Sequence, residues 1–186
     1  GSGKSFITSI FSRLGIPVYD ADSQAKLLMT SDQNIIKGLT ENFGETVYEC
    51  NGALNKKLLS DLIFADEKVR MKVNNIVHPA VANHFKKWKE QYGQKPYVIK
   101  ESAILFEAKA DRGVDFTICV TAPIELRKER IRERDHSTNE KIQSIINNQM
   151  EEGTRNSKCD FIVVNDNITP LLPQIIYLDK LFSKPS

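Results

Sequence analysis

Gly1-Ser2-Gly3-Lys4-Ser5 is the segment of the chain that says most about its fold. It matches the last five positions of G-x-x-x-x-G-K-[ST], a glycine-rich loop that cradles phosphate groups. Backbone N–H groups of such a loop, and the N-terminus of the helix that follows it, attract the phosphates. The pattern assigns Lys4 to the β- and γ-phosphates and the Ser5 hydroxyl to Mg²⁺. The alternative is a Gly-Ser-Gly remnant of an expression tag, followed by a chance Lys-Ser pair.

Short apolar segments alternate with longer helical segments along the chain, which is typical of βαβ units around a parallel sheet. Because this pattern follows an amphipathic helix that begins at Lys4, it favours the phosphate loop over the tag remnant. A strand normally leads into such a loop, so we expect the first, central strand to precede residue 1. The strand candidates are 17–20, 96–100, 116–120 and 161–164, and the helix candidates are 4–14, 123–134, 140–150 and 171–182.

Residues 24–93 interrupt this alternation. They contain only a weak strand candidate at 46–50, and the apolar residues between 58 and 77 repeat at helical spacing. We therefore predict a helical insertion that serves as a substrate-binding cap. The predicted domains are a nucleotide-binding core, formed by 1–23 and 94–186, and the insertion formed by 24–93.

Composition and charge exclude several classes of protein. Hydrophobic residues make up 40% of the chain and charged residues 27%, as in globular proteins. Apolar stretches such as 161–164 are too short to cross a bilayer. A formal net charge of +2 is too small to create the positive electrostatic field that attracts nucleic acid. We expect Cys50, Cys119 and Cys159 to be reduced thiols in a cytoplasmic protein. The expected partner is thus a small molecule, with no membrane and no nucleic acid, while the oligomeric state stays open.

Two carboxylates, Asp20 and Asp22, follow the strand candidate at 17–20. In a parallel sheet the carboxyl ends of the strands form the ligand crevice. A kinase needs a base there that accepts the proton of the acceptor alcohol, and we assign this role to Asp22. Asp20 is left open between a role in the site and the capping of the next helix. The sequence Asn-Lys-x-Asp, which confers guanine specificity, is absent, and no Asp-x-x-Gly switch follows a strand.

Five basic residues alternate with glutamates between 124 and 134. For most of these charges we expect a solvated helix face with i,i+4 ion pairs. Arg130 and Arg134, however, share one face and precede a polar stretch, where small kinases place a mobile lid. We predict a lid at about 130–150 whose two arginines stabilise the transferred phosphoryl group. Arg127 lies on a different face, so its loss should affect turnover less than the loss of Arg134.

Several stretches together carry a resemblance to a known family. They are 1–5, Leu-Gly-Ile-Pro-Val-Tyr-Asp-Ala-Asp at 14–22, Ile-Val-His-Pro-Ala-Val at 76–81, Leu-Phe-Glu at 105–107, the arginine pair at 130–134, Gln149, and Asp-Phe-Ile-Val-Val-Asn at 160–165. With these stretches the chain resembles the dephospho-coenzyme A kinase family over nearly its whole length. The resemblance implies an α/β fold: a three-layer P-loop NTPase core with a parallel sheet, a helical coenzyme-A-binding insertion and a lid.

The resemblance also implies an activity, namely ATP-dependent phosphorylation of the ribose 3′-hydroxyl of dephospho-coenzyme A, the last step of coenzyme A synthesis. ATP is then the co-substrate and Mg²⁺ the metal. By position, the implied catalytic residues are Asp22, Lys4, Arg130 and Arg134. The implied ATP-binding residues are Gly1, Ser2, Gly3, Lys4, Ser5, Phe6 and Asn165. The implied substrate-binding residues are Asp22, His78 and Leu105, and the implied metal-binding residues are Ser5 and Glu101.

The chain departs from the family pattern at a few positions. Glu101 stands where the family usually has Asp, Phe6 where Thr is common, and Cys159 where Ala is usual. His78 also has a second interpretation, as part of a His-Pro helix start with a hydrogen-bonded imidazole. Two other functions remain open: a small kinase with a different acceptor, and a nucleotide-dependent switch without transfer activity. Turnover of ATP only in the presence of an acceptor would exclude the switch.

Overall fold

The computed structural model describes residues 1–136, 138–147 and 149–184 of the chain. Its helices and strands, in chain order, are α1 (Lys4–Arg13), β1 (Val18–Asp20), α2 (Ala21–Ser31), α3 (Gln33–Phe43), α4 (Lys56–Ala65), α5 (Glu67–Glu90), β2 (Ile99–Glu101), β3 (Ile118–Thr121), α6 (Ile124–Asp135), α7 (Asn139–Asn147), α8 (Glu152–Asn156), β4 (Phe161–Val164) and α9 (Leu171–Phe182). Short 3₁₀ helices occupy Glu45–Val47 and Ala110–Gly113. The chain divides into two compact units, Gly1–Val18 with Gly93–Ser186, and Tyr19–Tyr92.

The first unit combines short strands with helices, which confirms the predicted α/β class. The strands form two small sheets, β1 with β2 and β3 with β4. β3 and β4 run parallel, with Ile118 opposite Phe161 and Thr121 opposite Val164. A hydrogen bond of 2.9 Å from the Ile99 N–H to the Pro17 carbonyl holds β2 beside the residues that lead into β1.

The core of this unit lies between α1, α9 and the strands. Ile7 and Phe11 stand four positions apart and therefore share one face of α1, where both are buried. They pack in one cluster with Val163 of β4 and Ile175 of α9, neither of which exposes any surface. Burial of a large apolar side chain stabilises a fold by about 1.5–3 kcal/mol. This cluster holds α1, and with it the phosphate loop, in a fixed place against β4.

The second unit consists mainly of four helices, each of which has a side-chain cap at its N-terminus. Asp20, Asp32, Asn55 and Asp66 cap α2, α3, α4 and α5, respectively, by accepting hydrogen bonds from N–H groups of the first turn. The buried residues Ile35, Leu39, Leu59, Val73, Val77 and Phe85 form the apolar faces. The capping signals and the 3.6-residue spacing of these side chains explain why this part of the sequence forms helices.

Two expectations about the second unit are wrong. The strand candidate at 46–50 is a 3₁₀ turn followed by a single bridge from Tyr48 to Leu54, because a tight turn with Gly52 at φ 80° leaves no room for a longer ladder. Pro79 does not begin a helix but lies inside α5. The helix continues across Pro79 because Val73, Val77 and Val81 keep one apolar face buried on both sides of it.

Cys119 and Cys159 form a disulfide, with their Cα atoms 5.9 Å apart. The expectation of reduced thiols is therefore wrong for this pair. The parallel register places Ile118 opposite Phe161, so Cys119, near the start of β3, lies close to the residues that lead into β4. Cys50 is free and exposed.

The predicted element boundaries differ from the observed ones mostly by a few residues. β4 and α9 have the predicted bounds, whereas β2 begins at Ile99 instead of residue 96, and α7 ends at Asn147 instead of residue 150. Among the described helices, none is both long and apolar enough to cross a membrane.

Candidate active site

The phosphate loop ends at Gly3, the residue before α1. Gly3 has φ 94°, in the left-handed region that glycine adopts without strain, and no side chain caps the helix. The first hydrogen bond of the helix runs from the Ile7 N–H to the Gly3 carbonyl (3.1 Å). N–H groups in the first turn of a helix have no acceptor within the helix, and the helix dipole adds partial positive charge there. The start of α1 therefore favours an anion.

A pocket of about 240 Å³ opens at this helix end. Its lining comprises Gly1, Gly3, Lys4, Ser5, Phe6, Arg130 and Arg134. The structure thus brings together five of the seven residues predicted to bind ATP and the two predicted lid arginines. Three of the lining side chains are basic and none is acidic, so the pocket suits a phosphate group.

Asn165, directly after β4, joins the phosphate loop to the sheet. Its side chain is buried, and Nδ2 donates a 2.7 Å hydrogen bond to the carbonyl of Ser2, which is also buried. Its backbone N–H donates to the Thr121 carbonyl at the end of β3 (2.8 Å). A Cβ atom on Gly3 would collide with Asn165 Nδ2, so only glycine permits this close approach. Of the residues predicted to bind ATP, Ser2 and Asn165 lie behind the pocket lining instead of on it.

The two arginines of the pocket have different environments. Arg130 donates hydrogen bonds to the carbonyl and the side-chain oxygen of Asn165 (3.1 and 3.3 Å) and to Asn167 Oδ1 (2.6 Å). Arg134 forms a bidentate pair with its neighbour Asp135, with both distances 2.7 Å. That pair raises the pKa of Arg134 and lowers the pKa of Asp135. The charge of Arg134 is therefore compensated, whereas Arg130 has only uncharged acceptors within the described part of the chain.

Ser5 and Glu101, the two predicted metal-binding residues, are in contact. Ser5 Oγ donates to Glu101 Oε1 (2.7 Å), and Thr8 Oγ1 donates to Glu101 Oε2 (2.8 Å). A hydroxyl and a carboxylate are oxygen ligands of the type that Mg²⁺ prefers. The Glu101 side chain, one methylene longer than that of Asp, reaches both hydroxyl groups. The described residues contain no group of three or more His, Cys, Asp or Glu side chains that could hold a metal ion by themselves.

The remaining predicted site residues lie elsewhere. Asp22 is in the first turn of α2 and His78 is in α5, both in the second unit, while Leu105 lies in the loop after β2 and is not in the pocket lining. Asp20 is a helix cap: Oδ1 accepts from the N–H groups of Asp22 (3.1 Å) and Ser23 (3.0 Å). Burial acts to raise the pKa of Asp20, but these bonds and that from the Ser23 hydroxyl outweigh it, so the pKa is lowered.

Arg127 departs from the expected solvated helix face. Its side chain is 7% exposed, pairs with Glu152 (3.2 Å) and donates to Gln149 Oε1 (3.0 Å). Glu152 also accepts a hydrogen bond from Thr121. Arg127 precedes the buried Ile131 by four residues, so the helical period could have placed it on the inner face. Thr8 and Asn167 also contact site residues, and the sequence contains no comparable signal that could have predicted them.

Comparisons with known proteins agree with one another. Residues 1–170 match the family model described as dephospho-CoA kinase. The chain is 38% identical to the dephospho-CoA kinase of Bacteroides fragilis strain YCH46, over 96% of this chain and 86% of the relative. It is 36% identical to that of Porphyromonas gingivalis, over 95% and 87%.

Two solved structures share the fold. One, from Thermus thermophilus, superposes with a TM-score of 0.80 at 24% identity, over 100% of this chain and 93% of the other. The other, a dephospho-CoA kinase from Campylobacter jejuni, gives a TM-score of 0.69 at 20% identity, over 97% and 92%.

The burial of Arg127 generates a prediction about stability. Replacement of Arg127 by Ala removes its pair with Glu152 and its hydrogen bond to Gln149, and should lower the free energy of unfolding by about 1–3 kcal/mol. The loss is smaller than for a fully buried pair, because Glu152 is partly exposed and keeps its contacts with Thr121 and Arg155. Arg132, which donates to Asn139 from an exposed position, is the matched control, and Arg132→Ala should cost less than about 0.5 kcal/mol. Urea denaturation of both variants measures the difference. Equal losses would show that the Arg127 pair contributes no specific stability.

Proposed function

The chain belongs to the dephospho-CoA kinase family, and from this premise we propose that it transfers the γ-phosphoryl group of ATP to the ribose 3′-hydroxyl of dephospho-coenzyme A. The product is coenzyme A, and the reaction is the last step of its synthesis. One observation supports this function most strongly: the phosphate loop lines the same pocket as Arg130 and Arg134 of α6.

The pocket supplies what ATP phosphates require. The first turn of α1 offers N–H groups and partial positive charge, and Lys4 adds a cation. Arg130 presents a planar guanidinium, which stabilises charge spread over phosphoryl oxygens better than an ammonium group does. We assign ATP to these residues and to the core formed by 1–23 and 94–186. Because phosphoryl transfer demands little covalent chemistry from the protein, positioning and charge stabilisation carry its rate.

The contact between Ser5 and Glu101 fits Mg²⁺ at the same place. Ser5 Oγ lies 2.7 Å from Glu101 Oε1, and the Thr8 hydroxyl donates a hydrogen bond to Glu101 Oε2. When bound there, Mg²⁺ would neutralise part of the charge of the phosphates. We propose that Ser5 and Glu101 hold the ion or its waters.

Asp22 is the proposed base. In the transfer, the acceptor hydroxyl gives its proton to the Asp22 carboxylate, its oxygen forms the new bond to the γ-phosphorus, and the bond to the leaving ADP breaks. Arg130 and Arg134 would stabilise the charge on the phosphoryl group, with Arg134 first leaving Asp135. His78 and Leu105 are the proposed acceptor contacts, within and beyond the 24–93 insertion.

The lid, at about 130–150, remains a proposal, and two of its residues, Ser137 and Asn148, lie outside the described part of the chain.

The cytoplasm is the proposed location, because ATP and small-molecule intermediates of metabolism are its ordinary contents.

The activity is tested directly by product analysis. Incubation of the protein with Mg²⁺-ATP and dephospho-coenzyme A should give a compound heavier by one phosphoryl group that co-migrates with authentic coenzyme A in liquid chromatography and mass spectrometry. Removal of Mg²⁺ by EDTA should stop its formation. ATP binding without this product would contradict the proposed acceptor and favour a kinase with another substrate.

Asp22→Asn tests the base. The amide cannot accept the proton, so kcat should fall by ~10²–10⁴-fold, the usual contribution of a positioned acid–base group, while the affinity for ATP stays near that of the wild type. Steady-state kinetics and calorimetric titration with an ATP analogue measure the two quantities.

The matched control is Asp20→Asn. Asn caps helices about as well as Asp, so this variant should keep both α2 and kcat. A wild-type kcat in Asp22→Asn would remove Asp22 from the base role, and an equal loss in both variants would indicate damage to the turn instead of lost proton transfer.

A further inference from the structure

Of the described residues, Asn167 forms the shortest hydrogen bond to the guanidinium of Arg130. Its Oδ1 accepts from Nη2 at 2.6 Å, compared with 3.1 and 3.3 Å for the two bonds to Asn165. Asn167 is exposed and lies two residues beyond Asn165, in the loop between β4 and α9. The sequence motif that carries the family resemblance ends at Asn165, so Asn167 has no role in it.

The acceptors around Arg130 share one property, which is that all three are uncharged oxygens. Among the described residues, no carboxylate forms an ion pair with Arg130. The other two arginines on α6 that approach the site region are neutralised, Arg134 by Asp135 and Arg127 by Glu152. Neutral acceptors hold the orientation of a guanidinium without compensating its charge, which therefore stays available to an anion.

The backbone of Asn167 is suited to this contact. Its φ is 67°, in the left-handed region that Asn enters more readily than most residues. The neighbouring Asp166 fixes the loop, because its Oδ1 accepts from the N–H groups of Ile168 (2.9 Å) and Thr169 (2.6 Å). The side-chain oxygen of Asn167 is therefore held ready before any ligand binds.

We propose that Asn167 is a positioning residue for phosphoryl transfer: its neutral side-chain oxygen fixes the Arg130 guanidinium in the pocket with its positive charge uncompensated. The inference rests on the proposed role of Arg130. It also explains the residue type, because Gly would adopt the same φ without an acceptor, and Asp would accept the bond but cancel the charge.

Asn167→Gly removes the acceptor and keeps the backbone conformation accessible. One of three bonds to a charged group is lost, so kcat should fall about 10-fold, whereas KM for ATP should change little because the charge of Arg130 stays uncompensated. The melting temperature should change by the same amount as in Lys109→Gly. That control makes the same replacement at another exposed residue with positive φ, 53°, and should leave kcat unchanged.

Asn167→Asp separates orientation from charge. It keeps the hydrogen bond and tolerates the left-handed conformation, so the protein should melt no lower than the wild type. Its carboxylate compensates Arg130, so the affinity for a non-hydrolysable ATP analogue, measured by calorimetry, should fall about 10-fold. Wild-type affinity in this variant would overturn the claim that the uncompensated charge matters.

Arg130→Ala makes failure of this inference distinguishable from failure of the proposed function. If Arg130→Ala retains wild-type kcat, the proposed role of Arg130 is wrong, and so is the inference built on it. If Arg130→Ala loses activity while Asn167→Gly does not, the role of Arg130 stands and that of Asn167 is refuted. The expected result is a large loss in Arg130→Ala and no further loss when Asn167→Gly is added to it.

Discussion

The buried hydrogen bond from Asn165 Nδ2 to the Ser2 carbonyl is the interaction on which the rest of the site depends. A buried carbonyl without a hydrogen-bond partner costs about 1–3 kcal/mol. Because any other position of the loop would leave the Ser2 carbonyl without this partner, the bond holds the loop in place. The same residue binds the Thr121 carbonyl through its N–H and Arg130 through both of its oxygens. Asn165 therefore orients the phosphate loop, the end of β3 and the Arg130 side chain. Gly3 can lie this close to Asn165 because it has no Cβ atom.

Helix α6 presents its arginines to three different electrostatic environments. Arg127 points inward and is neutralised by Glu152, Arg134 is paired with Asp135 at the exposed end, and Arg130 between them is held by neutral oxygens. The helical period sets the directions, since successive turns place side chains at different angles around the axis. The acceptors that meet each guanidinium come from other segments of the chain, and they determine which charge is left for a phosphate.

Local signals were sufficient for the parts of the fold that the sequence predicts well. β4 and α9 have strong apolar patterns with clear ends, and the phosphate loop is recognisable from five residues. Prediction failed where distant segments decide the outcome. Helix α5 continues through Pro79 because its apolar face is buried on both sides of the proline. Strand pairing brings Cys119 close to Cys159, and Arg127 is buried beside its partner Glu152 in α8. Asn167 could not be found because its importance comes from a contact with Arg130, 37 residues away in the chain.

If the close approach of Gly3 to Asn165 builds the phosphate pocket, a side chain at Gly3 should weaken nucleotide binding, which calorimetric titration of Gly3→Ala with a non-hydrolysable ATP analogue and Mg²⁺ measures. Gly15→Ala is the matched control: Gly15 has a similar φ of 86°, yet the nearest atom to an added Cβ is the flexible end of Lys95 at 3.9 Å. Both variants should lose ~1–2 kcal/mol of stability through backbone strain, and Gly3→Ala should lose more because its Cβ also displaces the buried Asn165 side chain. The account predicts that Gly3→Ala loses at least ~10-fold in affinity and Gly15→Ala keeps it. Equal affinities for the two variants would contradict the account.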